Sequence, residues 1–374
     1  MIRRFSRLFV GVAALAAIVW TLACAHVPQM PAQGAVAGYA ISGPVDSRIA
    51  QDYIEERPLP EALERTRRRL LMDARTPTRD ELTTIAQLYS PDVATLLFIE
   101  TVAALPANRA LRDTFDAELS AVSGQEQCAV LPDIPDDFLI LLVPGWFYRA
   151  NGAITNADYH IQRELFERCN VAHRLVPVDE NGSVSANAVV VAAAIREATR
   201  THRVFVVSAS KSGAEVALAL GRDLTAPELT RVEGWLSIGG VVQGSPLADR
   251  MLEPDLCWLT DLKLGIEGFN LEGLKSMQTR PSRRAFAALR FPSHIRIISY
   301  VPAPLSGDIS ERGAFGYHRM REQGPNDGLT LLADELIPGG TTILAPGIDH
   351  FLDSPDAQNA WSIAILRIVM RGKS

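Results

Sequence analysis

The chain contains a serine, Ser210, at a point where the sequence changes from strand-forming to helix-forming residues. A β-branched and aromatic run at 204–207 is followed by Ser-Ala-Ser-Lys-Ser-Gly and then by a helical pattern at 214–220. A tight turn of this kind lifts its central residue above the carboxyl end of a sheet and points a helix N-terminus at it, which suits a nucleophile. Ser210 is the predicted nucleophile, and Ser208 and Ser212 are its rivals.

A serine hydroxyl is a weak nucleophile unless a histidine takes its proton and an acid orients that histidine. His350 follows the last predicted strand, 341–344, and no other histidine lies beyond that strand. For the acid we favour Asp327, because its Pro-Asn-Asp-Gly turn can hold a side chain rigidly. Asp308 is the second choice and Asp349 the third.

Attack on a carbonyl carbon also needs N–H groups that stabilise the negative charge developing on the oxygen. The backbone N–H of Lys211 follows the nucleophile directly. The N–H of Trp146, in the loop after the apolar strand at 138–143, is the predicted second donor. Phe147 and Tyr148 come next and are expected to line a pocket for the acyl group, with ordinary packing under the following helix as the alternative.

Predicted strands and helices alternate from residue 138 onward. The strands are expected at 138–143, 171–178, 203–207, 234–239, 294–301 and 341–344. A continuous apolar run such as the first of these is typical of a parallel sheet buried on both faces. The order predicts an α/β fold with a doubly wound, mostly parallel sheet, whose ligands lie outside the carboxyl ends of the strands. An apolar helical pattern at 247–292 interrupts the alternation and predicts a cap over the active face.

This region resembles the α/β-hydrolase superfamily and, within it, bacterial lipases and esterases. Four segments carry the resemblance: the strand-Pro-Gly loop at 143–146, the turn at 208–213, Gly-Ser-Pro-Leu-Ala-Asp at 244–249, and Asn-Asp-Gly at 326–328 with His350. The resemblance implies a nucleophile, an acid and a histidine in that order along the chain. Three features depart from the pattern. Both outer glycines of G-x-S-x-G are serines here, the usual His-Gly before the oxyanion donor is Pro-Gly, and Lys211 occupies a position that is often apolar in the family.

Three segments are predicted before the hydrolase domain, which we place at 128–374. Arginines followed by an apolar run indicate an export signal at 1–25. A stretch rich in Pro, Gly and Ala without periodicity indicates a tether at 26–46. A helical pattern divided by prolines indicates an α-helical extension at 47–127. The formal charge of −6 and the pI near 5.7 leave no basic footprint for nucleic acid.

The export signal places the chain in an oxidising compartment. Cys24 lies in a sequence that fits both plain cleavage and an incomplete lipobox, so a membrane tether through lipidated Cys24 is one of two outcomes. We expect a periplasmic or outer-membrane-anchored protein, with secretion as the alternative. Cys128, Cys169 and Cys257 permit one disulfide, whose pairing the sequence leaves open.

Together these features predict a serine hydrolase that cleaves carboxylic esters of small-molecule or lipid-like substrates, with no cofactor and no metal. One alternative keeps the same triad but transfers the acyl group to an acceptor other than water, which a cap that excludes water would favour. The other is a non-catalytic envelope protein that uses the same fold for binding.

Overall fold

The computed structural model describes residues 29–352 and 355–371. The predicted export signal, with Cys24, lies outside these residues. The first described element is an antiparallel hairpin of β1 (Met30–Val36) and β2 (Tyr39–Val45). The prediction of a tether at 26–46 is therefore wrong for residues 30–45, which form this hairpin. Ala37 and Gly38 form the two-residue connection, and both have positive φ, as the hairpin turn that matches strand twist requires.

Five helices follow the hairpin, in the segment predicted to be helical. They are α1 (Arg48–Ile54), α2 (Glu61–Asp73), α3 (Arg79–Leu88), α4 (Pro91–Ala104) and α5 (Pro106–Val122). Helix α4 is apolar around its whole circumference and almost completely buried, because the hairpin and helices α1, α2, α3 and α5 pack around it. No single helix among the described residues is long and apolar enough to cross a membrane; only α4 and α5 taken together pass that test, and they meet at a 90° bend.

A six-stranded sheet forms the centre of the structure, and every neighbouring pair of its strands is parallel. The strands are β3 (Phe138–Val143), β4 (His173–Leu175), β5 (Arg203–Ala209), β6 (Val232–Ile238), β7 (Arg296–Ala303) and β8 (Thr341–Pro346). Their order across the sheet is β4-β3-β5-β6-β7-β8. The predicted doubly wound parallel sheet is confirmed, although β4 is shorter than the strand expected at 171–178.

Helices connect the strands and cover both faces of the sheet. They are α6 (Tyr148–Thr155), α7 (His160–Arg168), α8 (Val184–Ala198), α9 (Ser212–Leu218), α10 (Ala226–Leu229), α11 (Pro246–Met251), α12 (Pro254–Ile266), α13 (Glu272–Lys275), α14 (Thr279–Ala287), α15 (Glu311–Met320), α16 (Leu332–Glu335) and α17 (Pro355–Arg371). Because side chains alternate along a strand, Val204 and Val206 pack toward α8 and α9, whereas Phe205 and Val207 pack toward α7 and α17.

The N-terminal helices pack onto this sheet. Val301 and Ala303 of β7 and Leu344 of β8 belong to the same core as the residues of α4. Glu118 of α5, 1% exposed, accepts a hydrogen bond of 2.5 Å from Arg367 of α17 and also pairs with Arg371. The helices before the sheet and the helix after it therefore share one interface.

A buried carboxyl group joins the hairpin to the rest of the molecule. Asp92, at the start of α4, accepts hydrogen bonds from the backbone N–H of Asp46 (2.7 Å) and from the N–H (2.8 Å) and hydroxyl (2.6 Å) of Ser306. Burial, above all, and the nearby carboxylate of Asp46 raise the pKa of Asp92 to about 7.

One disulfide closes the segment that carries β3 and helices α6 and α7. Cys128 and Cys169 are bonded at an S–S distance of 1.99 Å, which settles the pairing that the sequence leaves open. Cys257 is a free, partly buried thiol.

Candidate active site

Ser210 lies at the carboxyl end of β5, between the last strand residue, Ala209, and helix α9. Its φ of 57° places it in the left-handed region, which non-glycine residues adopt rarely and which marks functional turns. Helix α9 comes so close to the loop after β6 that a Cβ on Gly213 would lie 2.8 Å from the Cα of Gly240. The predicted strand-turn-helix is therefore present, and Gly213 is the residue that allows its close packing.

His350 and Asp327 are held together at the carboxyl edge of the sheet, beside Gly239 at the end of β6. His350 Nδ1 forms a very short contact with Asp327 Oδ2, while Asp327 Oδ1 accepts 2.8 Å hydrogen bonds from the N–H groups of Leu329 and Thr330. The backbone N–H of His350 also donates to the Asp327 carbonyl at 3.0 Å. These contacts fix the carboxylate of Asp327. Because Nδ1 of His350 is paired with that carboxylate, Nε2 is the ring nitrogen that can accept another proton.

The two other candidate acids have structural partners instead. Asp308 accepts a hydrogen bond from the N–H of Leu305 at 2.9 Å, and no contact joins it to His350 within the described chain. Asp349 accepts from the N–H groups of Ser310 (2.8 Å) and Phe351 (2.9 Å), so it shapes the loop that carries His350.

The ion pair changes the acidity of the histidine. Burial alone would lower the pKa of His350, but the charge of Asp327, its hydrogen bond and the charge of Asp349 outweigh this effect and raise that pKa above its usual value. A raised pKa makes His350 a stronger base, which is what proton removal from a serine requires.

The loop after β3 brings two of its three aromatic residues to the site. Trp146 and Phe147 line a cavity with Ser210, and a Cβ placed on neighbouring Gly145 would lie 3.7 Å from the Ser210 Cβ. The prediction of Tyr148 as a pocket residue is wrong. Helix α6 begins at Tyr148 and turns its side chain into the core, where the hydroxyl donates to the Val178 carbonyl at 3.2 Å.

The backbone N–H groups of Trp146 and Lys211, the two predicted oxyanion donors, lie next to Ser210. Neither donates a hydrogen bond to an acceptor among the residues that the structure describes. Two unpaired N–H groups next to a turn serine are the arrangement that an oxyanion requires.

The cavity, of about 480 Å³, has Ser210 and His350 in its wall. Apolar residues of the loop after β3 and of the segment that carries helices α11 to α14 line it: Trp146, Phe147, Leu247, Met251, Leu274 and Met277. Core residues between the sheet and helices α7 and α17 also border it, namely Leu142, Phe166, Phe205, Val207, Leu236 and Leu366, but each of these is at most 9% exposed.

No protein-family model matches this chain, and no curated protein sequence matches it significantly. Solved structures do match. A metagenomic carboxyl esterase superimposes with a TM-score of 0.51 at 21% identity, over 64% of this chain and 79% of that one. A lipase from Bacillus licheniformis in its mature form gives a TM-score of 0.50 at 19% identity, over 64% of this chain and 94% of that one. The chain has the α/β-hydrolase fold.

The two serines on either side of Ser210 in the turn, Ser208 and Ser212, are structural. The Ser208 hydroxyl is fully buried and accepts a 2.8 Å hydrogen bond from Trp235 Nε1. The Ser212 hydroxyl, also fully buried, lies 2.8 Å from the Val143 carbonyl oxygen and 3.0 Å from the backbone N of Ala209. Ser210 alone of the three lines the cavity. The serines that replace the usual glycines thus hold the turn to β3 and β6.

One feature of this site was missed in the sequence. The side chain of Lys211, 3% exposed, forms a 2.5 Å ion pair with Glu215, which is 1% exposed. Asn187 Nδ2 donates to the same Glu215 oxygen at 2.8 Å, while Glu215 Oε2 has no hydrogen-bond partner within the described residues. A lysine and a glutamate four residues apart in an otherwise apolar helix were the available signal.

Asn187 continues this network toward the other side of the site. Its side-chain oxygen accepts from the N–H of Asp179 at 3.1 Å, and the next carbonyl, that of Glu180, accepts from Trp146 Nε1 at 2.8 Å. The residues that carry both unpaired N–H groups are therefore joined through buried polar contacts. Among the described residues, no group of His, Cys, Asp and Glu side chains is arranged to hold a metal ion.

Proposed function

We propose that the protein is a serine hydrolase that cleaves carboxylic esters, with Ser210 as the nucleophile, His350 as the general base and Asp327 as the residue that orients the base. One observation carries the proposal. A serine in a left-handed strand-to-helix turn shares a cavity with a histidine whose Nδ1 is paired with a buried carboxylate. The two similar solved structures are a carboxyl esterase and a lipase, which agrees with the proposal.

In the proposed reaction, Ser210 Oγ attacks the ester carbonyl carbon and its proton passes to His350 Nε2. The N–H groups of Trp146 and Lys211 stabilise the negative oxygen of the tetrahedral intermediate. The intermediate collapses to an acyl-serine when His350 returns the proton to the departing alkoxide. A water molecule then attacks the acyl-serine with His350 again as base, which releases the acid and restores the serine.

A fluorophosphonate probe tests this proposal directly, because it reacts only with an activated serine. The wild-type protein and the Ser208→Ala variant are expected to be labelled, and Ser210→Ala is not. Ser208 is the matched control, since it is a serine of the same turn whose hydroxyl is buried against Trp235. Labelling that persists in folded Ser210→Ala, or a wild-type protein that is folded but unlabelled, would refute the assignment.

We further propose that the protein is exported and acts in the cell envelope. The arginine-led apolar segment at 1–25 supports export, and a disulfide between Cys128 and Cys169 suits an oxidising compartment. Fractionation of cells that express wild type or Cys24→Ser separates the two forms. A lipid anchor predicts membrane association that Cys24→Ser abolishes, whereas plain cleavage predicts a soluble protein in both.

A further inference from the structure

We propose that helix α3, which precedes the sheet in the chain, positions Asp327 for its pairing with His350. Arg79 and Thr83 are the positioning residues, and they act on residues 322–335, which we call the acid segment because it contains Asp327. The inference rests on the proposed role of the Asp327–His350 pair in ester hydrolysis, but the state of that pair can be measured without any hydrolysis.

Helix α3 runs alongside the start of the acid segment. The Thr83 hydroxyl donates a 2.6 Å hydrogen bond to the carbonyl of Gln323, and Gln87 Nε2 donates to the carbonyl of Glu322 at 3.2 Å. A Cβ placed on the next residue, Gly324, would lie 3.9 Å from the backbone N of Thr83. The helix therefore fixes the backbone just before the turn that carries the acid.

The end of the acid segment is held by the first residue of the same helix. Arg79 Nε pairs with Asp334 Oδ1, and Asp334 is fully buried. The Nη2 of the same guanidinium donates to the side-chain oxygen of Gln243, in the loop after β6. That loop begins at Gly239, where a Cβ would lie 3.3 Å from His350 Nδ1. The forked donors of one arginine thus join the acid segment to the loop that contacts His350.

Between its two ends the acid segment is a closed turn. The N–H of Leu332 donates to the carbonyl of Pro325 at 3.0 Å, and Asn326 and Leu331 form a backbone bridge. The carboxylate of Asp327 is fixed inside this turn by two backbone N–H groups of the same segment. A displacement of either end is therefore passed on to the carboxylate, and a misplacement of about 1 Å can lower a rate about a hundredfold.

The charges around Asp327 make this support necessary. Glu335 is 1% exposed, and neither of its carboxyl oxygens has a hydrogen-bond partner in the part of the chain that the structure describes. Burial and the charges of Asp327 and Asp334 raise the pKa of Glu335 well above its ordinary value, so Glu335 stays neutral. Asp334 is ionised instead, because it pairs with Arg79 and, at 2.8 Å, with Arg283 of α14. Without Arg79, the repulsion between the carboxylates of Asp334 and Asp327 is less well compensated.

The first pair of variants tests the arginine. Arg79→Met removes both contacts of the guanidinium. Arg75→Met is its matched control, because Arg75 pairs with Asp73 and Glu81, which lie outside the acid segment. Urea unfolding of each variant establishes the conditions under which the assays are made on folded protein.

The second pair tests a single hydroxyl group and perturbs the fold less. Thr83→Val removes the hydrogen bond to the Gln323 carbonyl and keeps the shape of the side chain. Thr84→Val is its control, because the Thr84 hydroxyl donates to the Asp80 carbonyl of its own helix.

Kinetics on p-nitrophenyl butyrate gives the first measurement. Because Asp327 acts on proton transfer through His350, the variants should change kcat and leave KM within about twofold of wild type. We expect kcat to fall about ten- to hundredfold in Arg79→Met and up to about tenfold in Thr83→Val. Both controls should keep the kcat of wild type.

The pKa of His350 distinguishes positioning from a plain loss of stability or of charge. Burial lowers that pKa, and Asp327 and Asp349 raise it above its usual value. A looser contact with Asp327 should therefore lower it, whereas removal of the Arg79 charge alone would raise it, because a nearby cation disfavours protonation. NMR titration of the His350 Cε1 carbon, assigned by its loss in His350→Gln, should give a lower pKa in Arg79→Met and Thr83→Val than in wild type and the controls.

A folded Arg79→Met whose His350 pKa equals or exceeds that of wild type would overturn the inference, even if its activity is lost. An equal fall of that pKa in Arg75→Met would overturn it as well. If Arg79→Met does not fold, the comparison of Thr83→Val with Thr84→Val decides in the same way. If the pKa falls as expected but wild type cleaves no ester and is not labelled at Ser210 by the fluorophosphonate, the positioning of Asp327 stands and the proposed hydrolysis falls.

Discussion

Removal of Lys211's charge should destabilise the protein strongly, although the residue forms only one side-chain ion pair. Its ammonium group and the Glu215 carboxylate are 2.5 Å apart and almost fully buried. Their attraction at an effective dielectric constant of about 20 is about 6 to 7 kcal/mol. Desolvation costs several kcal/mol for each ion, so the intact pair contributes little net free energy. Lys211→Met removes the attraction but leaves Glu215 buried, which should lower the free energy of unfolding by about 3 to 5 kcal/mol.

The loss should depend on pH in a defined direction. Burial, the largest cause, already raises the pKa of Glu215 in the wild type against the lowering effect of Lys211 and Asn187. Without Lys211 that pKa rises further, so the folded variant binds a proton that the unfolded chain has lost above about pH 4. Stability of the variant should therefore fall as pH rises, by at most about 1.4 kcal/mol per pH unit.

Urea unfolding of wild type, Lys211→Met and Lys211→Met/Glu215→Gln at pH 5 and pH 8 measures these effects. The double variant should recover most of the loss, because a neutral glutamine still accepts the hydrogen bond from Asn187. A loss below about 1 kcal/mol for Lys211→Met at pH 8, or a double variant no more stable than the single one, would refute the reasoning.

Three further predictions concern the acid, a buried carboxyl and the disulfide. Asp327→Asn should lower kcat by about three to four orders of magnitude. Because Asp327 raises the pKa of His350, the same variant should also move the acid limb of the pH profile of kcat/KM to lower pH. Hydrolysis of p-nitrophenyl butyrate from pH 5 to 9 measures both effects. Asp92 has a pKa of about 7 in the folded protein. Its carboxyl group therefore stays protonated in the folded state where the unfolded chain has lost the proton, and the free energy of unfolding of the wild type falls as pH rises from about 4 to 7. Urea unfolding across this range should show a shallower fall for Asp92→Asn. Cys128→Ser/Cys169→Ser opens a loop of 41 residues and should lower the urea unfolding free energy by about 4 kcal/mol.

The features that sequence reasoning predicted correctly depend on local chemistry. A strand-to-helix transition or a buried apolar run depends on residues that are neighbours in the sequence. Short segments are therefore enough to predict the parallel sheet, the turn at Ser210 and the loop that presents His350. The hairpin was missed because its small residues, such as those at Ala37 and Gly38, look like a linker until two strands are known to pair.

The remaining features depend on the direction in which the chain turns and on packing between segments that are distant in the sequence. Tyr148 was misassigned because one left-handed residue, Phe147, with φ of 56°, redirects the chain just before helix α6. Which core residues border the cavity depends on the register of β3, β5 and β6 and on where helix α17 lies across them, and neither can be deduced from periodicity. The Pro-Asn-Asp-Gly turn favours Asp327 over Asp308, and the pairing of Asp327 with His350 supports that choice.

The salt bridge from Glu118 to Arg367 joins residues 249 positions apart. Helix α5 is therefore synthesised long before the helix that buries it, and the face of the sheet between them stays open until α17 arrives. Contacts between residues so far apart close a long loop, and closure of such a loop is slow. The interface between α5 and α17 should therefore form late in folding.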